Sequence, residues 1–226
     1  MLSILTLGFF LGVRHALDAD HVVAISTIVA QHRTWWRSGA IGFCWGVGHT
    51  VILFLAGAAV LIFKVTIPAD WAVLFEAGVG VMLIGLGVSV GLTLWRERLH
   101  AHTHRHEDGA GHLHVHSHRN GLHHMHRHRF RLEYQSLAIG MVHGLAGSAA
   151  VLLLVLSAAQ SPADGLLALL LFGAGSIVGM VVMGVALSIP FTLTPGHLVR
   201  TQRTMKAVAG LASVTVGSRI LYDIIA

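Results

Sequence analysis

The sequence predicts an all-α integral membrane protein with about six transmembrane helices and a disordered, His-rich central loop. Three observations lead there. Of 226 residues, 54% are hydrophobic and only 11% charged, whereas soluble domains carry about 25% charged residues; the mean hydropathy is +0.73. Apolar runs approaching the length that a hydrocarbon core demands, about 20 helical residues for about 30 Å, recur along the chain. Positive charge collects in alternate connections between them. The 26 glycines suit close helix packing in lipid. A single cysteine, Cys44, excludes a disulfide framework and a thiolate metal cluster. The pI of about 10.3 arises from basic residues confined to a few loops, so it speaks to topology and not to nucleic acid. No Lys or Arg precedes the first apolar run, so a cleaved signal peptide is not expected.

The first span covers about 2–30 and contains Arg14-His15-Ala16-Leu17-Asp18-Ala19-Asp20-His21. Neither flank, Leu2 to Val13 or Val22 to Ala30, crosses a bilayer alone, so the charged motif lies inside the membrane. Ionisable groups there are costly and mark functional sites. Trp35-Trp36 in the next connection suit a membrane interface. The second span, about 39–63, holds Gly42, Gly46, Gly48 and then His49; the third, about 71–95, holds Glu76. A polar segment, Arg96 to Glu133, follows. The fourth span, about 134–159, contains His143-Gly144-Leu145-Ala146-Gly147-Ser148; the fifth, about 165–190, has no charge; the sixth, about 206–225, includes Arg219 and Asp223, expected to pair at i, i+4.

Connections one, three and five carry Arg33 and Arg37, then Arg96, Arg98, Arg105, Arg119, Arg127, Arg129 and Arg131, then Arg200, Arg203 and Lys206; connections two and four carry only Lys64. The positive-inside rule makes the odd connections cytoplasmic and both termini external, in the cytoplasmic (inner) membrane. Gly12-Val13-Arg14-His15-Ala16-Leu17 lines up with Gly140-Met141-Val142-His143-Gly144-Leu145, and Ala77, Gly80 and Gly87 with Ala207, Gly210 and Gly217. Three spans per half would make such repeats inverted, a common build of secondary transporters; chance matches among Gly and Ala are the alternative. The expected division is 1–95, a three-helix half with the motif; 96–133, a cytoplasmic His-rich loop; and 134–226, a second three-helix half.

On an unbroken helix, at about 100° per residue, His15, Asp18 and His21 share one sector with Arg14, and Asp20 points away. Two imidazoles and a carboxylate suit a borderline divalent ion such as Ni²⁺, Co²⁺ or Zn²⁺. Arg14 cannot ligate a cation and is expected to neutralise Asp18 or Asp20. A break at Ala16–Ala19 would alter these angles. The competing reading is a buried ion-pair network that locks helices together. His49, beside glycines that admit another helix, is a candidate ligand or an interhelical hydrogen-bonding group. His143 is a candidate ligand or path residue, and Glu76 a counter-charge, proton carrier or interfacial acid. His100, His102, His104, His106, His112, His114, His116, His118, His123, His124, His126 and His128 alternate with residues that build no core; this loop is expected to be disordered without metal and to serve as a metal buffer or sensor.

Arg14 to His21 resembles the H-x4-D-H signature of the nickel/cobalt transporter family, and Gly46-Val47-Gly48-His49-Thr50 resembles its second, Gly-His motif. His143 to Ser148 is similar to the short, six-span branch of urease-accessory-type nickel permeases. The resemblance implies that His15, Asp20 and His21 handle the metal with His49 in support, whereas helical geometry favours Asp18; both are kept. The chain departs from larger, eight-span members in lacking a leading span and an acidic motif of the second half.

The expected function is a secondary transporter of Ni²⁺ or Co²⁺, as substrate and not prosthetic group, most directly for uptake. The alternatives are efflux of these metals or zinc by proton antiport, and a membrane metal store or sensor. An acyltransferase built on His15 and Asp20 would need an acyl- or phosphate-binding region that the other spans lack, so an enzyme is not expected. Expected partners are the metal ion, the bilayer, a second copy of the chain and nickel-enzyme maturation proteins, with no nucleic acid.

Overall fold

The computed structural model describes residues 2–30, 34–64, 68–96, 100–105, 111–116, 131–146, 161–194 and 198–226. Among them are seven helices: α1 (Leu2–His15), α2 (Ala19–Val29), α3 (Trp35–Phe63), α4 (Ala69–Arg96), α5 (Arg131–Ala146), α6 (Pro162–Leu193) and α7 (Val199–Ile225). Four of them, α3, α4, α6 and α7, are long and apolar enough to cross a membrane. The expected count of six is therefore not reproduced helix for helix. The first span is two helices with a break between them, and the fourth is described only as far as Ala146, its remainder lying outside the described residues.

Local chemistry sets the ends. Ser161 caps α6, its Oγ accepting from the Asp164 backbone N–H at 3.2 Å, and Pro162 starts the helix where a missing N–H costs nothing. Lys64 closes α3 in the left-handed conformation, φ 51°. Large apolar side chains lie exposed along the helices, among them Phe10, Phe43, Leu55, Leu74, Val81, Val182 and Leu211. So much exposed apolar surface is what a lipid-facing bundle presents. Exposed Trp35, Trp36, Trp71, Trp95, Tyr134 and Tyr222 cluster near helix ends, as interfacial aromatics do.

Helix α3 packs on α5 and α6, α1 packs on α6, and α4 packs on α7. Some of these contacts recur at positions that the two sequence alignments match. Gly48 lies so close to α5 that a Cβ would run into the Leu137 carbonyl, and Gly175 lies as close to the Phe9 carbonyl. Leu137 stands where Phe9 stands in the alignment of Gly140 with Gly12. Likewise Gly80 meets Gly217 and Gly87 meets Gly210, each pair being the other's image under the second alignment. The core lies where these helices meet, around Ala16, Ile25, Ile41, Trp45, Leu83 and Met180, with a second cluster of Leu53, Leu169 and Phe172.

Within the His-rich connection, β1 (His100–Arg105) and β2 (Gly111–His116) pair antiparallel, His100 opposite His116, His102 opposite His114 and His104 opposite His112. The H-x-H alternation has the two-residue period of a strand. Neither strand packs extensively on a helix, and a lone two-stranded ribbon is marginal in water, which agrees with a segment lacking a core of its own. His106, His118, His123, His124, His126 and His128 lie outside the described residues.

Candidate metal site

The site begins with the break in the first span. Helix α1 ends at His15, and the backbone N–H groups of Leu17 and Asp18 donate to the carbonyls of Arg14 and His15, at 2.9 and 3.0 Å, in a tight last turn. Asp18 then adopts an extended conformation, φ −62° and ψ 147°, and α2 starts from it. Asp20 falls in the first turn of α2, where the helix dipole favours an anion. An ideal helix would send Asp20 away from the histidines; the extended residue at Asp18 swings it into them.

Three helices converge on this break. Gly48 on α3 and Gly140 and Gly144 on α5 let backbones touch: Gly144 faces the His49 carbonyl, and Gly140 the Trp45 carbonyl. That approach brings His49 and His143 beside His15 and His21. Ring centroids are 4.7 Å apart for His15 and His21, 5.3 Å for His15 and His49, 5.3 Å for His21 and His49, and 4.2 Å for His21 and His143. His21, His49 and His143 are buried and His15 nearly so.

The carboxylates orient the rings. His15 Nδ1 donates to Asp18 Oδ2 at 2.8 Å, and His21 Nδ1 donates to Asp20 Oδ1 at 3.1 Å, an oxygen that also accepts the His21 backbone N–H at 2.9 Å. His143 Nε2 donates to Asp20 Oδ2 at 2.8 Å. Because carboxylates only accept, the proton resides on the nitrogen facing each of them, and the other ring nitrogen keeps its lone pair. Those other nitrogens, His15 Nε2, His21 Nε2 and His143 Nδ1, are buried with no hydrogen-bond partner among the described residues, as are both nitrogens of His49. An unsatisfied buried polar atom costs about 1–3 kcal/mol, so a cluster of them in one place needs a reason. Ligand atoms of His15, His21 and His49 all lie within 4.8 Å of one another, and so do those of Asp20, His21 and His143. A histidine held by a carboxylate on one nitrogen and open on the other is the arrangement of metal-ligating histidines.

The other residues singled out in the sequence fall elsewhere. Arg14 is exposed, and among the described residues it pairs with neither Asp18 nor Asp20; histidines take that place. Glu76 is exposed on α4, outside both trios. Arg219 and Asp223 form the expected exposed salt bridge, at 2.8 Å. Two aromatic walls escaped the sequence reading: Phe172 against His15, centroids 5.4 Å apart, and Trp45 against His143, 5.8 Å apart. Trp45 stands four residues before His49 and so on the same helix face, a signal that pointed to the site.

A family model described as NicO, high-affinity nickel-transport protein, matches residues 1–217. The chain belongs to the NicO family. It is also 38% identical over 227 residues to the urease accessory protein UreH of Bacillus sp. (strain TB-90), a match covering 99% of this chain and 92% of that protein. No solved structure matches the chain. NicO membership makes the chain a multi-pass membrane transporter with a divalent metal ion as its partner, and not an enzyme. The acyltransferase reading of His15 and Asp20 is thereby set aside.

Proposed function

We propose that this NicO chain carries Ni²⁺ or Co²⁺ into the cytoplasm through the buried cluster of His15, His21 and His49, with Asp18 and Asp20 orienting the imidazoles. One observation carries the reading: three imidazoles with unpartnered buried nitrogens bring ligand atoms within 4.8 Å of one another inside the bundle, two of the rings held by carboxylates. A purely structural ion-pair network would leave no such lone pairs. Imidazole donors suit nickel and cobalt. The break in the helix puts the cluster where discontinuous helices of secondary transporters bind their ions.

Geometry supports the topology read from charge. Arg203 Nη2 donates to the Leu94 carbonyl at 3.0 Å, so the third and fifth connections share a side. Gly184, near the end of α6, packs on the Ser38 carbonyl at the start of α3, so the first connection joins them. These are the connections rich in Arg. We take that side as cytoplasmic, both termini as external, and 1–95 and 134–226 as two inverted three-helix halves around the loop 96–133. A dication moving inward down about 100 mV gains about 4.6 kcal/mol, so the membrane potential suffices to drive import. The name of the UreH relative supports a role in supplying nickel to the maturation of a nickel enzyme, and the His-rich loop is placed to buffer the arriving ion.

The test is radioactive nickel flux in oriented proteoliposomes with the inside held negative. Wild-type protein should accumulate nickel, and His15→Ala or His21→Ala should reduce accumulation to that of empty vesicles. Flux only outward, or only against a proton gradient, would replace import with efflux. Equal flux in the variants would remove the cluster from the path.

A further inference from the structure

We propose that the break at Asp18 is a hinge with two settings, and that joining α1 and α2 into one continuous helix parts the histidines and frees the ion. The inference rests on the reading above, that His15, His21 and His49 hold a divalent metal ion, and adds how the ion is let go. Nothing in the sequence from Val13 to Ala30 dictates a break. The stretch contains neither Gly nor Pro, the commonest residues at sharp kinks, and Asp18 is flanked by Ala16, Leu17 and Ala19, which are among the best helix formers. At Asp18 the departure from the helix is in ψ alone: φ is −62°, a helical value, and ψ is 147°. A rotation about one backbone bond separates the two settings. What holds the extended one is Asp20, whose Oδ2 accepts from His143 Nε2 on α5 at 2.8 Å and whose Oδ1 accepts from the His21 backbone N–H at 2.9 Å.

The two settings differ at the site. In the extended one the rings of His15 and His21 stand 4.7 Å apart. On a continuous helix the step from His15 to His21 advances about 9 Å along the axis and turns the two side chains about 120° apart, so one ion no longer reaches both. Asp20 turns away from the histidines as well, and His49 stays behind on α3. The extended setting gathers the ligands and the continuous one parts them. A ligand shifts a protein toward the form it binds, so the bound ion favours the break.

The surroundings of α2 suit such a movement. It is only 11 residues long, and a helix continuous over Leu2–Val29 would match α4 in length. Its buried Ala24, Ile25, Ile28 and Val29 share a cluster with Met180 and Met183, against which Met82 and Met205 also pack. Methionine is unbranched and flexible, so it refills space when a neighbour shifts. Helix α2 runs from the histidines to the first connection, on the side taken as cytoplasmic. Its movement therefore clears the side by which an imported ion leaves.

Ala19→Pro tests the hinge. Proline keeps the residue before it extended, with ψ about +120 to +160°, which is where Asp18 already stands. Ala19 is exposed and is the first residue of α2, where proline is tolerated; among the described residues its N–H meets no acceptor. In purified full-length protein in lipid, Ala19→Pro should bind nickel within about threefold of wild type while nickel flux falls about tenfold or more. Ala19→Val adds bulk without fixing Asp18 and should keep flux within about threefold. Wild-type flux in Ala19→Pro would overturn the hinge. So would loss of nickel binding in a folded Ala19→Pro protein, because the extended Asp18 would then not be the binding form. A distance measurement by electron spin resonance serves if the proline variant does not fold, with spin labels at Phe10→Cys and Ser26→Cys in a Cys44→Ser background. A continuous helix separates these positions by about 24 Å along its axis; that distance should appear in nickel-free protein and vanish at saturating nickel. A distribution that nickel leaves unchanged would overturn the hinge too. Failure of the transport reading looks different: wild-type protein would then show neither nickel binding nor flux.

Discussion

Replacing Asp20 with asparagine separates an orienting carboxylate from an essential ligand. The side chain keeps its shape. Its remaining oxygen can still accept the two His21 contacts, at 2.9 and 3.1 Å, because both go to Oδ1. The amide replaces Oδ2, which accepts from His143 Nε2 at 2.8 Å. An amide donates, so His143 must move its proton to Nδ1, and the nitrogen now left unpartnered loses its lone pair. One hydrogen bond to a charged group is lost, worth about 1.5–3 kcal/mol, which corresponds to about 10–150-fold in affinity. That matches the about 10–100-fold effect of removing a group that orients a metal ligand. Asp20→Asn should therefore weaken nickel binding about 10–100-fold, measured by equilibrium dialysis of the protein in lipid, without unfolding it. Unchanged binding would refute the orienting role. Loss of all measurable binding would show that Asp20 is a ligand the ion cannot do without, and not an orienting group alone.

Three further outcomes follow from the same structure. Gly48→Val should force α3 and α5 apart, since the new side chain meets the backbone of Leu137 and Met141; overpacking costs about 1–3 kcal/mol, and a misplacement of about 1 Å at the site lowers flux about 100-fold. Gly78→Ala, with open space around the new Cβ, should leave nickel flux and thermal stability unchanged and serves as its control. Deleting 100–128 should leave potential-driven nickel flux in proteoliposomes within about threefold while lowering the number of nickel ions bound per chain, because the ribbon lies outside the helical core. Arg219→Ala should shift stability by no more than about 0.5 kcal/mol, since its pair with Asp223 is exposed; thermal unfolding followed by circular dichroism checks this.

Helices α3, α4, α6 and α7 could be read from hydropathy, because each is a long apolar run bounded by Pro or charge. His15, His21 and His49 could be read as a set, because ionisable groups inside apolar runs are too costly to keep without a function. Asp20 was named by the family resemblance but could not be placed beside the histidines by helical angles. Helical angles assume one continuous helix, and a single extended residue, Asp18, rotates everything after it. Pattern alone does not say where within Ala16–Ala19 that break falls. The link from Asp20 to His143 spans 123 residues and depends on how closely α5 approaches α3, which the glycines permit but do not specify. Repeat matching did place His143 opposite His15. The same alignment carried further, pairing Trp45 with Phe172, would have found both aromatic walls.

Transport through this cluster stands or falls on how the imidazoles surround the ion. X-ray absorption at the nickel edge, on wild-type protein loaded with one equivalent of Ni²⁺ in lipid, reads that arrangement directly, because imidazole rings produce a recognisable multiple-scattering pattern. Imidazole nitrogens are predicted around the nickel in wild type, and fewer of them in His49→Ala. A nickel environment of oxygen alone, or one identical in wild type and His49→Ala, would contradict the histidine site.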